Sequence, residues 1–439
     1  MDSLHPPETE KYRRLPWSLA HIALNNFFFT WTFGSAIFLL FLDELGLPKD
    51  QIGMLLSFFP FTGMLALGFG SLVAKWGRKR VYILGYGIRK PVMASLLLLP
   101  WLLVAAGRQA ALVFLFAVIL TVAVLRALAE TGFIPWFQEF VPNAVRGKYA
   151  SVNNILVTLT SGLALWIASR VIANNTGITG YMTLIGLGAA IGLVGVFMML
   201  PVPGGKPIPE AGSTRAHASN LRKCLSDRNF RSYMGGMGSF ILGSVMLGSF
   251  LPLFVKEQVG VPSQTVVILE VAAMLGSALS SLLAGVLSDR LGSRPVMMPG
   301  LVLTVSLPIG WLIFSALLQP AAAGSGVLGS PPAWILASCG LLYFLGGGFT
   351  TIASIGASRL LYNNVIPVEQ STAYSSMYYA WAGLMGGLTP ILAGRLLASL
   401  SGWSASIGAF PFDGYRLLFS LSILGFTSAV LFYRGVRPD

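Results

Sequence analysis

The chain has 439 residues, 55% of them hydrophobic and only 10% charged, and its mean hydropathy is +0.74. A water-soluble domain carries about 25% charged residues, so a soluble globular protein is excluded and an integral membrane protein is required. The formal charge of +13 would indicate nucleic acid in a soluble chain. Here the basic residues fall mostly in alternate loops, which membrane orientation explains, and no nucleic-acid partner is expected.

Apolar runs of spanning length, cut by polar or Pro/Gly punctuation, predict an all-α fold of twelve transmembrane helices at 17–42, 51–74, 81–106, 110–139, 149–173, 179–201, 231–255, 264–288, 295–318, 332–361, 371–399 and 413–433. The first is too long for a signal peptide, holds His21, Asn25 and Asn26, and has no small-residue cleavage site after it. The stretch 203–230 differs in kind: it is polar, rich in Pro, Gly and Ser, and contains Lys206, Arg215, Arg222, Lys223 and Arg228. It reads as a linker between two six-helix bundles, 1–202 and 231–439. With the N-terminus placed in the cytoplasm, the inner segments hold 20 of the 29 Lys and Arg and the outer segments six. Both termini and the linker are therefore expected on the cytoplasmic side.

Catalytic and metal chemistry have no visible foothold. Cys224 and Cys339 sit in unlike surroundings, His5, His21 and His217 are scattered, and no zinc, P-loop or nucleophile-elbow spacing occurs. The protein is not expected to be an enzyme, and no cofactor or metal is expected.

The two halves are copies. FLDELGLP, ending at Pro48, matches VKEQVGVP, ending at Pro262; GSLVAKWGRKR from Gly70 matches GVLSDRLGSRP from Gly285. VPNAVRGKYAS, with Pro142, matches IPVEQSTAYSS, with Pro367, and the segments around Arg170 and Arg395 also correspond. Four collinear matches indicate a duplicated six-helix unit with its pseudo-two-fold axis along the membrane normal.

On these residues the chain resembles a major facilitator superfamily (MFS) transporter over nearly its full length. The family's G-x-x-x-D-R-x-G-R-R signature after its second helix fits well in the second copy, with Gly285, Asp289, Arg290, Gly292 and Arg294. The first copy keeps Gly70, Gly77, Arg78, Lys79 and Arg80 but has Ala74 in the acidic place. The resemblance implies that these motifs lock one face of the bundles during alternating access, with Asp289 supplying the acid. Pro142, Arg146 and Gly147 fit the family's loop after the fourth helix. The fifth span, VTLTSGLALWIAS, lacks the Gly-Pro signature of proton-driven drug exporters, so drug efflux is less favoured.

A charge at bilayer depth persists only beside a cavity or a partner. Arg126 and Glu130 lie four apart in the fourth span and share one face. They read as a self-neutralising structural pair or as a substrate contact and a proton-coupling acid. Glu270, in the outer third of the eighth span, is a second coupling candidate or a bundle hydrogen bonder. Arg89 and Lys90 are expected to snorkel to the cytoplasmic side; facing a cavity instead, they would favour an anionic solute. Arg170 and Arg395 occupy equivalent outer helix ends and are expected to snorkel outward. Polar stripes comprise His21, Asn25 and Thr32; Asn154, Thr158 and Ser161; and Thr351, Ser354 and Ser358, with Tyr378, Tyr379 and Trp381 on the eleventh span. Helix packing is the commoner use of any single Ser or Thr, and His21 reads as a satisfied packing residue. Asn25, Arg126, Asn154, Tyr379 and Trp381 are the substrate-binding candidates, on spans that the resemblance places around a central cavity.

The expected function is a secondary active transporter for a small polar or anionic solute, coupled to protons or another ion. The alternative is a transporter-like receptor or lipid-handling protein without coupled transport. The partners expected are the solute, a coupling ion and the lipid bilayer. A monomer in a plasma membrane, specifically a bacterial inner membrane, is the expected setting.

Overall fold

A computed structural model of the chain describes residues 8–207, 224, 226–324, 331–367, 371–407 and 410–437. Helix dominates them. The first half supplies α1 (Glu8–Thr32 and Ala36–Glu44), α2 (Lys49–Gly63 and Ala66–Trp76), α3 (Arg78–Ala94, continued by Leu99–Ala105), α4 (Gly107–Phe140), α5 (Arg146–Ala173) and α6 (Thr179–Met198). The second half supplies α7 (Arg228–Gly248 and Leu251–Glu257), α8 (Ser263–Leu291), α9 (Ser293–Gly324), α10 (Ala333–Leu360), α11 (Ser371–Ser399) and α12 (Gly414–Arg434). Two three-residue strands, β1 (Ala405–Ile407) and β2 (Phe410–Phe412), pair antiparallel between α11 and α12.

Among the described residues, 11 helices are long and apolar enough to cross a membrane. The expected span missing from that set is α2, whose two pieces of 15 and 11 residues meet at Met64-Leu65. Pro60 lies inside the first piece. Its ring removes one amide donor and crowds the preceding turn, which weakens the ladder just ahead of that junction.

Duplication governs the packing. Within the first half, α1 packs on α6 and α5, α3 on α4 and α6, and the second piece of α2 on α4. Within the second half the same pairings recur six helices on: α7 with α12 and α11, α9 with α10 and α12, and α8 with α10. Small residues permit the tightest of these. A Cβ added at Gly276 of α8 would strike the carbonyl oxygen of Phe344, and one at Gly347 of α10 would strike that of Ala273. Close backbone approach of this kind is how helices associate where lipid provides no hydrophobic drive.

The chain forms two compact units, Met1–Leu45 with Phe61–Ser213, and Gly46–Pro60 with Thr214–Asp439. The division falls inside the linker, but the start of α2 joins the second unit rather than the first. There Gly53 and Gly394 bring α2 and α11 together, with Gly53 beneath Pro390 and Gly394 beneath Lys49. The linker residues 208–223, including Gly212, lie outside the described residues.

Both first helices of the duplicated unit are interrupted at matching places. α1 breaks at Phe33-Gly34-Ser35 and α7 at Ser249-Phe250. In α1 the break is built locally. The Gly34 amide donates to the Phe29 carbonyl at 2.8 Å, and the Ser35 hydroxyl caps the new helix by accepting from the Ile37 amide at 3.2 Å. A Cβ at Gly34 would collide with the Phe29 ring.

Candidate functional site

The first unit encloses a cluster of cations between α1, α3 and α4. Arg89 and Lys90 are each 1% exposed. They do not snorkel to a membrane face, contrary to the sequence expectation. Gly192 explains part of this, because its missing side chain leaves the space taken by Lys90 Cε and Phe28. The Lys90 ammonium donates to Asn25 Oδ1 at 2.6 Å, and Arg89 Nη2 reaches the same oxygen at 3.4 Å. Aromatic faces supply the remaining solvation. Lys90 Nζ lies 3.5 Å from the Phe28 ring centroid, and the Arg89 guanidinium lies 4.0 Å from that of Tyr86.

Arg126 and Glu130 form the paired edge of this cluster. Arg126 Nε donates to Glu130 Oε1 at 2.7 Å, and the side chains are 30% and 45% exposed. The (i, i+4) pairing expected from the sequence is therefore present, on a partly exposed face of this unit. The Tyr86 hydroxyl approaches Glu130 Oε1 at 3.5 Å. Phe33, at the break in α1, lies under both guanidiniums, 5.5 Å from Arg89 and 5.9 Å from Arg126. Burying an ion costs several kcal/mol even after relaxation. The cluster offsets that cost with one carboxylate, one amide oxygen and three ring faces.

The neighbouring polar residues have structural partners. His21 bonds the Gly195 carbonyl at 2.8 Å and the Tyr82 hydroxyl at 2.6 Å, the packing role expected of it. Asn26 ties α1 to α5 by donating to the Val157 carbonyl, Thr160 and Ser161. Asn154 is exposed on α5. The structure thus brings Asn25, Arg126 and Glu130 into one neighbourhood and leaves Asn154 outside it.

A cavity of about 190 Å³ in the second unit is lined in part by Tyr233, Met237, Ser354, Ser358 and Tyr378. Ser354 and Ser358 of the α10 stripe therefore face a space, whereas Thr351 bonds the Ser277 hydroxyl of α8 at 2.6 Å. Trp381 stands beside it with its indole N–H donating to the Met234 carbonyl at 2.9 Å, so that donor ties α11 to α7. Tyr379 is 49% exposed and packs edge-on against Tyr378. Glu270 is half-buried in α8, within electrostatic reach of Tyr343. A second polar cavity, of about 570 Å³, lies between α7, α11 and α12. On its wall Lys49 Nζ meets Glu257 Oε2 at 2.6 Å, and the Tyr415 hydroxyl donates to the same oxygen at 2.7 Å.

The signature residues form two matching turns. Gly77 and Gly292 end α2 and α8 at φ of 92° and 89°. Arg78 pairs with Glu139 at 3.8 Å, and Lys79 Nζ donates to the Leu200 and Val202 carbonyls. In the second copy, Arg294 Nη2 donates to the Arg434 carbonyl at 2.9 Å, and Arg290 is exposed. Gly70 and Gly285 have open space where a Cβ would stand. The Asp289 side chain lies outside what the structure describes.

Sequence reasoning located Arg126 and Glu130 through their spacing. Arg89 and Lys90 stand out in the sequence as intramembrane charges, expected either to snorkel or to face a cavity, and the structure buries both. Nothing in the sequence marked Phe33, Tyr86 or the Lys49–Glu257 pair. Among the described residues no group of His, Cys, Asp and Glu could hold a metal ion.

Comparison with known proteins agrees with this architecture. A family model described as Major Facilitator Superfamily matches residues 19–390. No curated protein matches the chain. Among solved structures, a point variant of the nucleoside transporter NupG is similar at a TM-score of 0.68 and 17% identity, covering 98% of this chain and 100% of that one. A bacterial homologue of the iron transporter ferroportin in an inward-facing state is similar at 0.68 and 16%, covering 98% of each chain. A D-xylose–proton symporter is similar at 0.66 and 13%, covering 97% of each. With its duplicated six-helix architecture and a family match spanning most of its length, the chain belongs to the Major Facilitator Superfamily, whose members are multi-pass membrane transporters and not enzymes.

Proposed function

We propose that this protein is a secondary active transporter that moves a small polar or anionic solute by alternating access, with proton coupling. The observation that carries the reading is the Arg126–Glu130 pair, half-open on α4 at the edge of a buried cation cluster. A carboxylate at membrane depth that is both paired and reachable can exchange its partner for a proton. Protonation of Glu130 frees Arg126 to meet solute, and loss of the proton reclaims it. Asn25 organises the cations behind this pair. Glu270 is the second acid for coupling, and Tyr379 and Trp381 are the second unit's candidates for solute contact, with Asn154 those of α5.

The Lys and Arg distribution supports cytoplasmic termini and a cytoplasmic linker between bundles 1–202 and 231–439. A monomer in a bacterial inner membrane accords with that arrangement. The Gly77 and Gly292 turns then lie on the cytoplasmic side, where Asp289 serves as the acid of the inner lock.

The test is solute uptake into proteoliposomes under an imposed pH gradient, with parent protein and Glu130→Gln. Gln keeps the size of Glu and mimics its protonated form. The expected result is loss of gradient-driven accumulation with some exchange retained. Accumulation equal to the parent's makes the pair structural and moves coupling to Glu270. A protein that binds solute yet neither accumulates nor exchanges it is a receptor.

A further inference from the structure

The solute's charge can be read from the cation cluster. We infer that the substrate is a small organic oxyanion, a carboxylate or phosphate, whose negative group is bound by Arg126 in the field of Arg89 and Lys90. This rests on the transport reading above and narrows its substrate class.

The argument begins with charge compensation. Arg89, Lys90 and Arg126 crowd one region of the first unit, and Glu130 is the carboxylate within electrostatic reach of Arg89. Lys90 and Arg89 both donate to one neutral acceptor, Asn25 Oδ1. Arg89 Nε is buried with no hydrogen-bond partner among the described residues. Among the described residues, three cations facing one carboxylate leave the cluster short of negative charge.

A purely structural role accounts poorly for this arrangement. Adjacent like charges repel, and apolar residues of similar volume would fill the same space with less desolvation. Rings soften the cost, with Phe28 and Tyr86 facing the two buried cations, but a ring face does not neutralise a charge. An anion does.

Geometry places that anion at Arg126. Arg89 and Lys90 are sealed at 1% exposure, whereas Arg126 is 30% exposed and bonds Glu130 through Nε alone rather than through its terminal nitrogens. An arriving oxyanion can exchange with Glu130 as one charge-assisted partner for another, and a guanidinium fork matches two oxygens of a carboxylate or phosphate. The Phe33 ring lies against Arg126 and Arg89 together and sits at the break in α1. Movement of the Arg126 head is thereby tied to an interrupted helix. Interrupted helices beside the solute are a recurrent feature of secondary transporters. Arg89 and Lys90 act as positioning residues that raise the local potential without touching the solute.

The test is thermal unfolding of the purified full chain with succinate, inorganic phosphate and glucose 6-phosphate. Sodium chloride at matched ionic strength and the neutral counterparts succinamide and glucose serve as controls. At least one anion is expected to raise the melting temperature where its controls do not. Arg126→Gln should weaken the apparent affinity tenfold or more, and Lys90→Met several-fold. The unliganded melting temperature of each variant checks its folding, and Arg126→Lys should restore part of the response. The inference is overturned if no anion exceeds its controls, if neutral compounds act equally, or if the Arg126→Gln and Lys90→Met variants respond as the parent does. Counterflow in proteoliposomes separates this failure from that of the transport reading. Carriage of a neutral solute indifferent to these anions sinks the anion site alone. Anion binding without counterflow of the bound anion sinks transport and leaves the site.

Discussion

Lys79 and Arg294 are the same residue of the duplicated unit, and each spends its charge on the carbonyl end of the last helix of its own half. Lys79 Nζ lies 2.8 Å from the Leu200 carbonyl oxygen and 2.7 Å from that of Val202, just beyond α6. Arg294 Nη2 lies 2.9 Å from the Arg434 carbonyl oxygen at the end of α12. A cation at a helix C-terminus satisfies orphan carbonyls and complements the helix dipole. The basic residues of the signature therefore have a local structural use in both copies, beyond the orientation bias that put them in the loop.

The turns ahead of these cations should not tolerate a side chain. Gly77 and Gly292 hold φ near +90°, with ψ of 131° and 173°, a region that is essentially glycine-only. Gly77→Ala and Gly292→Ala are each expected to cost about 1–3 kcal/mol, read as a lower unfolding temperature. Gly77→Ala should be the worse, because its Cβ would also stand 3.1 Å from the Gly205 carbonyl oxygen and from Pro207. Gly285→Ala, in open space on α8, is the control and should not lower stability.

Lys49 anchors the start of α2 onto the second unit through Glu257, and Lys49 also lies 4.6 Å from the Tyr415 ring centroid. The side chains are 26% and 32% exposed, so a double-mutant cycle should give a coupling of about 0.5–1 kcal/mol, decreasing with salt. The charge swap Lys49→Glu with Glu257→Lys should recover part of what either single change loses. A coupling of zero at low salt would show that the pair carries no energy.

The twelve-span order was legible because hydropathy and duplication are properties of the sequence alone. The α2 interruption was not, since residues 51–74 read as one apolar run and the tertiary placement of Lys49–Pro60 depends on Gly53 and Gly394 meeting across helices. Arg126 and Glu130 were legible because four residues bring side chains to one helix face. Asn25 and Asn26 illustrate the limit. As neighbours on a helix they point about 100° apart, and one gathers cations while the other pins α5. No spacing rule distinguishes which does which. The same holds for Arg89 and Lys90. Lys90 takes the space left at Gly192, on a helix about a hundred residues later.

Cys224 should be a poor target for thiol reagents. It is buried, and burial pushes its thiol above the ordinary value, so less thiolate is present at any given pH. The sign is toward slower reaction. Raising the pH from 7 to 8 should leave maleimide labelling of the folded protein slow, whereas labelling in denaturant should be rapid at both cysteines. Cys339 is likewise buried, inside α10. Fast modification of the folded chain at Cys224 would contradict the burial.

Gly192 and Gly186 lie on the same helix and should answer substitution in opposite ways. A Cβ at Gly192 would stand 2.8 Å from Phe28 Cβ and 2.9 Å from Lys90 Cε. The lysine tip could swing, but Phe28 Cβ is fixed to the α1 backbone, so the two helices must separate or the ammonium must leave Asn25. Overpacking of this kind costs about 1–3 kcal/mol. At Gly186 the nearest atom is Leu97 Cδ1 at 3.4 Å, an ordinary contact. Alanine there keeps the contact and gains about 1 kcal/mol of helix propensity. Gly186→Ala should therefore hold or raise the unfolding temperature while Gly192→Ala lowers it. If Lys90 is held where Asn25 receives it, Gly192→Ala should also weaken anion binding, and Gly186→Ala should not. Equal unfolding temperatures for the two variants would mean that α1 and α6 are not packed this closely, and the buried position of Lys90 would lose its steric explanation.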